Sequence, residues 1–478
     1  MSIIIQYIEH HAAANPSKPA IILPDRFVTY GMVQSGTASA QTVIDDLKLD
    51  PSRPVGLLID NPSRHMIIAL ALMKSGFAYS ALRADLLDAS LNAGIETVIT
   101  DAPLPLEPRR RGIFLDDKWF TRADARPRPA CAIPNTRIVR IAFSSGSTGR
   151  PKASAYSHRA VCERLLTLTA AGIGGHERVM SAYAMSGPGF QQALHTLMLG
   201  NTICFAPLAD LLPHLSLFQV DEMRGSVSQI QFILAAQIAA GRPSSLKSVW
   251  AGGAYLNASL ATDIRDAFRC NVVNPYAAVE TGLIGVASGE LLARRPQHGN
   301  SFSIVADVQI VDESGRMAAP GAEGRISVRS GGMAWPYQGV LDESRDPEGE
   351  HWIYPGDLGR IDQHGLLVVT GRADEVINMG GAKFDPEMIE EMLRRHPGVG
   401  EVAVLRMIGK DGGQEAWAVV KSDQELTCDE LNAWITARSQ GEALTFCLAR
   451  LEHTREIPRT AAGKIARNEL RRQLAQNA

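Results

Sequence analysis

The chain of 478 residues is 45% hydrophobic and 21% charged, a composition typical of globular proteins, and its length predicts two or more domains. A formal net charge of −3 at pH 7 gives no sign of the basic surface that nucleic-acid-binding proteins need. The 6 cysteines lie far apart without a Cys-x-x-Cys pair, which favours buried thiols in a reducing compartment over disulfides or metal ligands.

The N-terminal segment, residues 1–9, predicts an amphipathic helix, because it has neither the basic lead nor the small-residue cleavage site of a signal peptide. No apolar run in the sequence approaches the roughly 20 residues that a membrane-spanning helix needs. We therefore expect a cytoplasmic protein without a membrane or nucleic-acid partner.

Short apolar segments alternate with helical patterns up to about residue 371. Residues 54–60 and 96–100 predict buried strands, and residues 64–74 between them predict a helix that ends before Gly76. Such alternation predicts an α/β fold, with a large N-terminal domain of parallel-rich sheets covered by helices. Residues 103–134 are rich in proline and arginine, and we expect them to form an exposed connection.

A loop of small residues follows an apolar strand that is predicted over residues 138–143. It contains hydroxyl residues, glycines and two cations: Ser144, Ser145, Gly146, Ser147, Thr148, Gly149, Arg150 and Lys152. Backbone N–H groups, hydroxyls and cations in such a loop can hold a polyphosphate. The spacing of a Walker A loop is absent, and a Ser/Gly run alone is as often a plain surface turn.

The pattern changes near residue 371, where Gly371-Arg372-Ala373-Asp374 follows an apolar strand. The segments beyond it predict a small α+β domain: a helix over 386–395, strands over 402–407 and 416–421, and a helix over 428–439. We therefore expect an N-terminal domain over residues 1–371, a C-terminal domain over residues 374–478, and a hinge at Asp374.

Further short motifs follow the Ser/Gly loop in order: Gly252-Gly253-Ala254, Tyr276-Ala277-Ala278-Val279-Glu280, Gly356-Asp357, Gly371-Arg372-Ala373-Asp374 and the segment 458–464, which reads PRTAAGK. Together, over nearly the whole chain, they resemble the acyl-adenylate-forming (AMP-binding) superfamily, which includes the acyl-CoA synthetases. The resemblance implies that a carboxylic acid reacts with ATP to give an acyl-adenylate and pyrophosphate. The acyl group would then pass to the thiol of coenzyme A, or alternatively to the phosphopantetheine of a carrier protein.

The resemblance also implies roles for individual residues. Tyr276 matches the residue that stacks on adenine, and Asp357 and Arg372 match those that hold the ribose hydroxyls. Thr148 matches a contact to the β- and γ-phosphates. The full set implied to bind ATP or the acceptor is Ser144, Ser145, Gly146, Ser147, Thr148, Gly149, Lys152, Gly252, Gly253, Ala254, Asn274, Tyr276, Ala278, Val279, Asp357, Arg372, Gly381 and Lys383. Without the resemblance, most of these positions would read as surface turns or core residues.

The same resemblance implies that Lys464, Glu280 and Thr148 are catalytic. Glu280 matches the carboxylate that holds Mg²⁺, a hard cation that prefers carboxylate and phosphate oxygens. An ammonium at Lys464 could lie between the acid's carboxylate and the α-phosphate, where it would reduce the repulsion between two anions. Rotation about Asp374 between the two half-reactions would then replace Lys464 by the segment that contains Gly381 and Lys383.

Three positions depart from the usual motifs of the superfamily, which has Gly at Ala277, Thr at Val279 and Thr at Pro355. Valine cannot donate the hydrogen bond that the threonine makes to the α-phosphate. Losing one such contact costs on the order of 1–3 kcal/mol of transition-state stabilisation. The departures therefore keep open a second alternative, a nucleotide-binding homologue with weak catalysis.

The resemblance places the acid-binding pocket near four segments of the chain, with candidate lining residues Tyr183, Met185, Phe190, Val249, Trp250, Leu283 and Ile284. Each of these apolar residues could equally be ordinary core. Residues 181–190 contain no carboxylate that could pair with an ammonium, and a buried ammonium without a partner is costly. We therefore expect an acid without an α-amine, either fatty or aromatic.

Overall fold

The computed structural model describes residues 3–103, 109–145, 151–254, 256–294, 300–337, 351–379, 382–409, 413–438, 446–459 and 464–477. In these ranges the helices are α1 Ile3–Ala14, α2 Tyr30–Asp46, α3 Pro62–Lys74, α4 Leu87–Asn92, α5 His158–Ala170, α6 Pro188–Met198, α7 Leu211–Leu217, α8 Val227–Ala240, α9 Ala258–Phe268, α10 Gly289–Arg294, α11 Pro386–Arg394, α12 Cys428–Arg438 and α13 Arg467–Asn477.

The strands of the N-terminal part are β1 Pro19–Leu23, β2 Arg26–Thr29, β3 Val55–Leu58, β4 Tyr79–Ala81, β5 Thr97–Thr100, β6 Arg111–Phe114, β7 Ile138–Ser145, β8 Pro151–Ser157, β9 Arg178–Ser181, β10 Thr202–Cys204, β11 Glu222–Ser226, β12 Ser248–Gly252, β13 Asn271–Ala278, β14 Gly282–Ser288, β15 Asn300–Ile304, β16 Asp307–Val311, β17 Gly324–Arg329, β18 Trp335–Pro336, β19 Asp357–Ile361 and β20 Leu367–Arg372. Those of the C-terminal part are β21 Ile377–Met379, β22 Ala382–Phe384, β23 Glu401–Ile408, β24 Gln414–Lys421 and β25 Leu448–His453.

Two large sheets form the N-terminal domain. The first has the strand order β18-β8-β7-β4-β3-β5-β6, and its strands from β7 to β6 run parallel. The second has the order β16-β17-β19-β20-β15-β14-β13-β12-β11-β9-β10-β1-β2. It is parallel from β13 to β1 and antiparallel from β14 onward, so the predicted α/β class is confirmed.

Local sequence signals start and stop the helices. The Ser226 side chain accepts from the backbone N–H of Gln229, whose own side chain accepts from the Ser226 N–H, so a reciprocal capping box begins α8. Asn61 caps α3, which has Pro62 in its first turn and is followed by Gly76 at φ +79°. The predicted helix over 64–74 and strands over 54–60 and 96–100 are confirmed as α3, β3 and β5.

The expectation for residues 103–134 was wrong in part. This segment supplies the edge strand β6, which pairs with β5, and it buries Leu115 and Trp119 in the core that α1, α2, α3 and α6 share. The high proline and arginine content of the segment made this short apolar strand hard to predict, because the strand forms by pairing with its neighbour. All 6 cysteines are free thiols, but the expectation that they are buried was wrong for Cys131 and Cys447, which are exposed.

The C-terminal domain is built on the antiparallel pair β23–β24, with β25 parallel to β24. Its apolar core includes Ile389 and Leu393 of α11 and Leu431 and Ile435 of α12. The predicted small α+β domain is thus confirmed. Among the described helices, none has the length and the apolar character that crossing a membrane requires.

Candidate active site

A tyrosine, an aspartate and an arginine from three strands of the second sheet form the centre of the site. The Tyr276 hydroxyl on β13 donates to Asp357 Oδ2 at 2.5 Å, and Arg372 Nη1 on β20 donates to Asp357 Oδ1 at 3.2 Å. Asp357 and Arg372 are register partners on β19 and β20. Because Phe302 packs against the Tyr276 ring with 5.3 Å between centroids, the tyrosine is held by contacts at its ring and its hydroxyl.

Burial dominates the electrostatics of this group. It raises the pKa of Asp357, while the Tyr276 hydrogen bond and the charges of Arg372 and Lys464 oppose that rise. Burial and the neighbouring Asp357 also raise the pKa of Tyr276, so its hydroxyl stays protonated and can donate. Each oxygen of the Asp357 carboxylate thus accepts from one of these two donors and has a further lone pair for a ligand hydroxyl.

The backbone before Asp357 is adapted to this arrangement. Gly356 has φ +98°, and a Cβ there would lie 2.8 Å from Arg372 Nη2. The Gly356 carbonyl accepts from the Ala373 N–H at 2.9 Å, which ties the two predicted motifs together. Arg372 also donates to the Pro355 carbonyl at 3.4 Å and from Nε to Asp374 at 3.0 Å, so the predicted hinge residue is part of the same network.

Lys464 of the C-terminal domain reaches this centre. A Cβ placed on Gly253 would lie 3.8 Å from Lys464 Cε, and the lysine is close enough to Asp357 to lower the pKa of that carboxyl. The structure therefore brings together two motifs that are separated by about 210 residues in the sequence. Thr460 to Gly463 lie outside the described residues.

The segment around Lys464 is anchored on the C-terminal domain. Arg459 and Ile465 form an isolated antiparallel bridge, and the Ala466 N–H donates to the Pro458 carbonyl at 2.8 Å. Arg467, three residues after the lysine, is buried and forms an ion pair with Glu390 at 2.5 Å. These contacts fix the backbone from which the Lys464 side chain extends.

The turn after β12 packs closely against β13. A Cβ on Gly252 would lie 2.9 Å from Pro275 Cγ, and Gly253 has φ +79°, so glycine suits both positions. Asn274 donates to the Ala251 carbonyl at 2.6 Å, and its role as a direct contact to ATP stays a prediction. Ala254 is exposed at the same turn.

The segment after Tyr276 is held by its backbone. The Val279 carbonyl accepts from Tyr156 Oη at 2.9 Å and from Arg164 Nη2 at 2.8 Å. The Val279 side chain packs against the core that α1, α2, α3 and α6 share. Ala278 is half-buried beside it. The Glu280 side chain is half-buried, and its carbonyl accepts from the Ala334 N–H at 2.7 Å.

Among the described residues, no hydrogen bond reaches the Glu280 carboxylate, so its oxygens can serve a Mg²⁺ ion. Such a ligand fits the preference of this cation for oxygen donors. When bound, the ion would neutralise phosphate charge. Phosphate oxygens of the nucleotide would be further suitable ligands for such a cation.

Part of the predicted phosphate loop can be located only by its ends. Ser144 and Ser145 of β7 pair in register with Lys152 and Pro151 of β8, so the two strands flank the loop as an antiparallel pair. Lys152 is exposed. Gly146, Ser147, Thr148 and Gly149 lie outside the described residues, and their roles stay predictions.

The predicted acceptor segment lies on a hairpin of the C-terminal domain. Lys383 of β22 pairs in register with Asn378 of β21. Gly381 lies outside the described residues. The contribution of this hairpin to the second half-reaction stays a prediction.

The predicted pocket residues divide between the two faces of the second sheet. Val249 and Ile284 are fully buried in the core formed with α8 and α9. Trp250 and Leu283 pack together on the other face. Since neighbouring residues on a strand point to opposite faces, one pocket cannot use both pairs.

Tyr183 lies beside the turn after β12. A Cβ on Gly252 would be 3.4 Å from its hydroxyl, and burial raises the pKa of that hydroxyl. Gly252 and Trp250 share a strand face, and Trp250 packs with Leu283, so Tyr183, Trp250 and Leu283 lie on the same side of the sheet. Met185 and Phe190 are buried in the core that α1, α2, α3 and α6 share, where Phe190 packs edge-on against Tyr79 with 5.3 Å between ring centroids.

Two charged residues on this same face were not predicted from the sequence. Glu222 and Arg224 of β11 are 1% and 3% exposed, and Arg224 Nε donates to Glu222 Oε1 at 2.5 Å. Glu222 Oε2 accepts from Trp250 Nε1 at 3.0 Å. The signal in the sequence was Glu-Met-Arg, two charges at the alternating positions of a buried strand.

The chain is similar to known proteins over its whole length. The family model described as AMP-binding enzyme matches residues 8–338, and the model of the AMP-binding enzyme C-terminal domain matches residues 388–464. A fatty acid–[acyl-carrier-protein] ligase of Streptomyces coeruleorubidus is 22% identical, over 98% of this chain and 96% of that protein.

Two further matches describe the same group. A 4-chlorobenzoate–CoA ligase of an Arthrobacter species is 28% identical over 75% of this chain and 70% of its own length. The o-succinylbenzoate CoA synthetase of Bacillus subtilis, solved with its acyl-adenylate intermediate, has the same fold, with a TM-score of 0.83, 20% identity and 97% of each chain covered. The chain therefore belongs to the AMP-binding enzyme family of acyl-adenylate-forming ligases.

Proposed function

We propose that the protein activates a carboxylic acid without an α-amine and transfers the acyl group to the thiol of coenzyme A. In the first step an oxygen of the acid attacks the α-phosphorus of ATP, and pyrophosphate leaves. In the second step the thiol attacks the acyl carbon, and AMP leaves. The observation that carries this proposal is the approach of Lys464 to Gly253 and Asp357 from a separate domain.

The residues around Asp357 suit the nucleotide. Its two oxygens, each with one protein donor, can accept from the vicinal hydroxyls of a ribose. The adenine would lie near the Tyr276 ring and the close turn at Gly252 and Gly253. Binding the nucleoside in this way would place its α-phosphate near Lys464, which adds a cation where two anions must meet.

The acid would bind on the face of the second sheet that carries Tyr183, Trp250 and Leu283. The carboxylate on that face, Glu222, is already paired with Arg224. It is therefore not free to neutralise an α-ammonium group. This supports an acid with an apolar body, aromatic or fatty, in preference to an α-amino acid.

The second step would need Lys464 to leave the reaction centre so that the thiol can reach the acyl carbon. Asp374, which is bound to Arg372, is the proposed hinge between the two domains. The hairpin with Gly381 and Lys383 would then approach the site. Gly380, Gly381 and Lys383 of this segment would suit the narrow arm of a pantetheine group.

A carrier-protein phosphopantetheine is a second candidate acceptor. It is favoured by the similarity, over nearly the whole chain, to a ligase that acts on an acyl-carrier protein. Both acceptors present the same thiol, so the first step is common to them. A third reading, a nucleotide-binding homologue with weak catalysis, rests on Ala277, Val279 and Pro355 alone.

The proposal is tested by measuring AMP release with an aromatic or fatty acid and ATP, with coenzyme A or a phosphopantetheinylated carrier protein added. Acid-dependent AMP release that coenzyme A accelerates, together with acyl-CoA detected by mass spectrometry, is the expected result. Acceleration by the carrier protein alone would select the second candidate. Absence of acid-dependent ATP consumption across all acids would support the third reading.

A further inference from the structure

A charged pair is buried on the acid-binding face of the second sheet, where the sequence predicts an apolar surface. We propose that the substrate acid carries a neutral oxygen atom at its far end, a hydroxyl or carbonyl group, which accepts a hydrogen bond from Arg224. This inference rests on the proposed function, and it names the class of acid: one with an apolar body and a distal neutral oxygen.

The register of the strands places Arg224 in line with the reaction centre. Arg224 on β11 pairs with Trp250 on β12, so the two side chains point to the same face. Trp250 precedes Gly253 by three residues, a distance of about 10 Å at roughly 3.3 Å per residue. Lys464 lies beside Gly253, so an acid whose carboxylate meets the lysine would extend back along this face toward Arg224.

The guanidinium of Arg224 is buried but not fully satisfied. Nε donates to Glu222 Oε1, and Nη2 lies 2.5 Å from the same oxygen without the angle of a hydrogen bond. Nη2 is therefore a buried donor that is in ionic contact with Glu222 but makes no hydrogen bond among the described residues. Such a donor is rare in a folded protein and indicates an unfilled position for an acceptor.

A second orphan atom lies nearby on another element. His195 of α6 is fully buried, accepts or donates at Nε2 with Thr169 Oγ1 at 3.0 Å, and has no partner at Nδ1. Burial, together with the nearby charge of Arg224, lowers the pKa of His195 to about 3, so the ring is neutral. Two unpartnered polar atoms from β11 and α6 thus lie in the same region.

The charges of the group select a neutral acceptor. Glu222 balances Arg224, accepts from Trp250 Nε1 and lies 3.6 Å from His176 Nε2, so with a neutral imidazole the group has no net charge to offer a ligand. A second carboxylate would bring an unbalanced charge into a buried site, which is costly. An ammonium group would lie beside the Arg224 guanidinium and be repelled by its positive charge. A hydroxyl or carbonyl oxygen satisfies Nη2 without changing the charge, whereas a purely apolar acid leaves Nη2 unpaired.

The test is acid-dependent exchange of labelled pyrophosphate into ATP. It is run at pH 8, well above the ordinary pKa of imidazole, so that histidine side chains near the site add little positive charge. Two matched series serve as probes: octanoic, 8-hydroxyoctanoic and octanedioic acid, and cinnamic, 4-hydroxycinnamic and 4-carboxycinnamic acid. In at least one series the hydroxy acid is expected to have a kcat/KM about tenfold or more above its parent. The dicarboxylic acid should be the poorest member.

Arg224→Met should remove this preference, so that the kcat/KM values of the hydroxy acid and its parent lie within about threefold of each other. Because a buried Glu222 without its partner can unfold the protein, the double variant Glu222→Gln with Arg224→Met provides a neutral pair of similar volume. Arg178→Met, an arginine near the start of β9, is the matched control and should keep the preference.

The outcomes separate this inference from the proposed function. Exchange with no acid in either series by the wild-type protein would overturn the proposed function, and the inference with it. Exchange without preference for the hydroxy acid, or a preference that survives in the double variant, would overturn the inference alone. A preference for the dicarboxylic acid would show that the site takes a second anion and would also overturn it.

Discussion

The Tyr276 hydroxyl donates a hydrogen bond of 2.5 Å to Asp357 Oδ2, and this contact joins β13 to the first residue of β19. The partners come from two motifs that lie 81 residues apart. Because burial raises the pKa of Asp357, the hydrogen bond from Tyr276 helps to keep the carboxyl ionised. An aromatic residue that is proposed to contact adenine thus also tunes the group that is proposed to bind ribose.

Tyr276→Phe should keep the ring and remove this hydrogen bond. The pKa of Asp357 should then rise further, and since the ionised carboxylate is the acceptor for ribose, activity should be lost as the pH falls through that pKa. The acidic limb of kcat/KM for ATP should therefore move to higher pH. At alkaline pH, where the carboxyl is ionised in both proteins, the loss should be about fivefold, the value of one net hydrogen bond.

The check is a pH profile of pyrophosphate exchange at limiting ATP for both proteins. Tyr354→Phe, at a tyrosine outside this group, is a suitable control and should leave the acidic limb in place. An acidic limb that does not move in Tyr276→Phe would show that Asp357 does not control ATP binding.

Lys464→Ala should separate the two half-reactions. Without the ammonium near Gly253, formation of the acyl-adenylate should fall by about a thousandfold, the scale of one electrostatic contact to the transition state. Transfer from supplied acyl-adenylate to coenzyme A should stay largely intact, because the proposed rotation removes the lysine from the site before this step. Lys421→Ala, an exposed lysine of β24, is the control. Equal loss of both steps would contradict the account of two domain positions.

Asp374→Pro should have the opposite effect. The ring restricts the backbone at the proposed hinge and removes the Asp374 side chain that binds Arg372. Adenylation should continue, while transfer to the thiol should fall, because the domain cannot rotate. Asp374→Ala removes the same ion pair without restricting the backbone and should retain transfer. Single-turnover measurements of each step distinguish the two, and similar behaviour of both variants would argue against a hinge here.

Val279→Thr should keep or raise the rate of adenylation. Tyr156 and Arg164 hold the Val279 carbonyl, so the backbone should stay in place when the nearly isosteric threonine is introduced. A new hydroxyl that donates to the α-phosphate could raise the rate by up to about tenfold. Steady-state exchange rates measure this. A large fall would mean that the segment binds the nucleotide in a different way from its relatives.

Arg467→Met should destabilise the C-terminal domain by about 1–3 kcal/mol, because it removes one of the two arginine partners of the buried Glu390 carboxylate, which keeps Arg394. Burial raises the pKa of Glu390, and Arg467 is the largest opposing influence. A carboxyl whose pKa is higher in the folded than in the unfolded state costs stability while it is ionised. The destabilisation should therefore be greatest at alkaline pH and should fade as the pH falls through the folded pKa.

Calorimetry of the full chain at several pH values tests this, with Glu390→Gln added to Arg467→Met as the rescue. The double variant should recover much of the loss at alkaline pH. If the single variant is as stable as the wild type, the segment after Lys464 is anchored by other contacts.

The sequence predicted the parts of the fold that local patterns determine. The helix over 64–74 and the strands over 54–60 and 96–100 follow from periodicity and capping residues alone. Residues 103–134 were harder, because the edge strand β6 becomes a strand only by pairing with β5. The motifs at Tyr276, Asp357 and Lys464 were found from their order along the chain, but their meeting in space depends on sheet order and domain placement.

The residues of the proposed acid-binding face could likewise be predicted from the sequence only in part. Whether Val249 or Trp250 points toward the site depends on the register and orientation of β12, and a shift of one residue exchanges the two. The pairing of Glu222 with Arg224 could have been suspected from their spacing on a strand. Its importance became visible only when β11 was placed next to β12.

The most direct test of the central claim is acid-dependent exchange of labelled pyrophosphate into ATP, measured across fatty, aromatic, dicarboxylic and α-amino acids with wild-type protein and Lys464→Ala. The account predicts exchange with at least one fatty or aromatic acid, none with α-amino acids, and loss of exchange in the variant. Exchange that survives in Lys464→Ala, or its absence with every acid in the wild type, would contradict the proposal that this site forms acyl-adenylates.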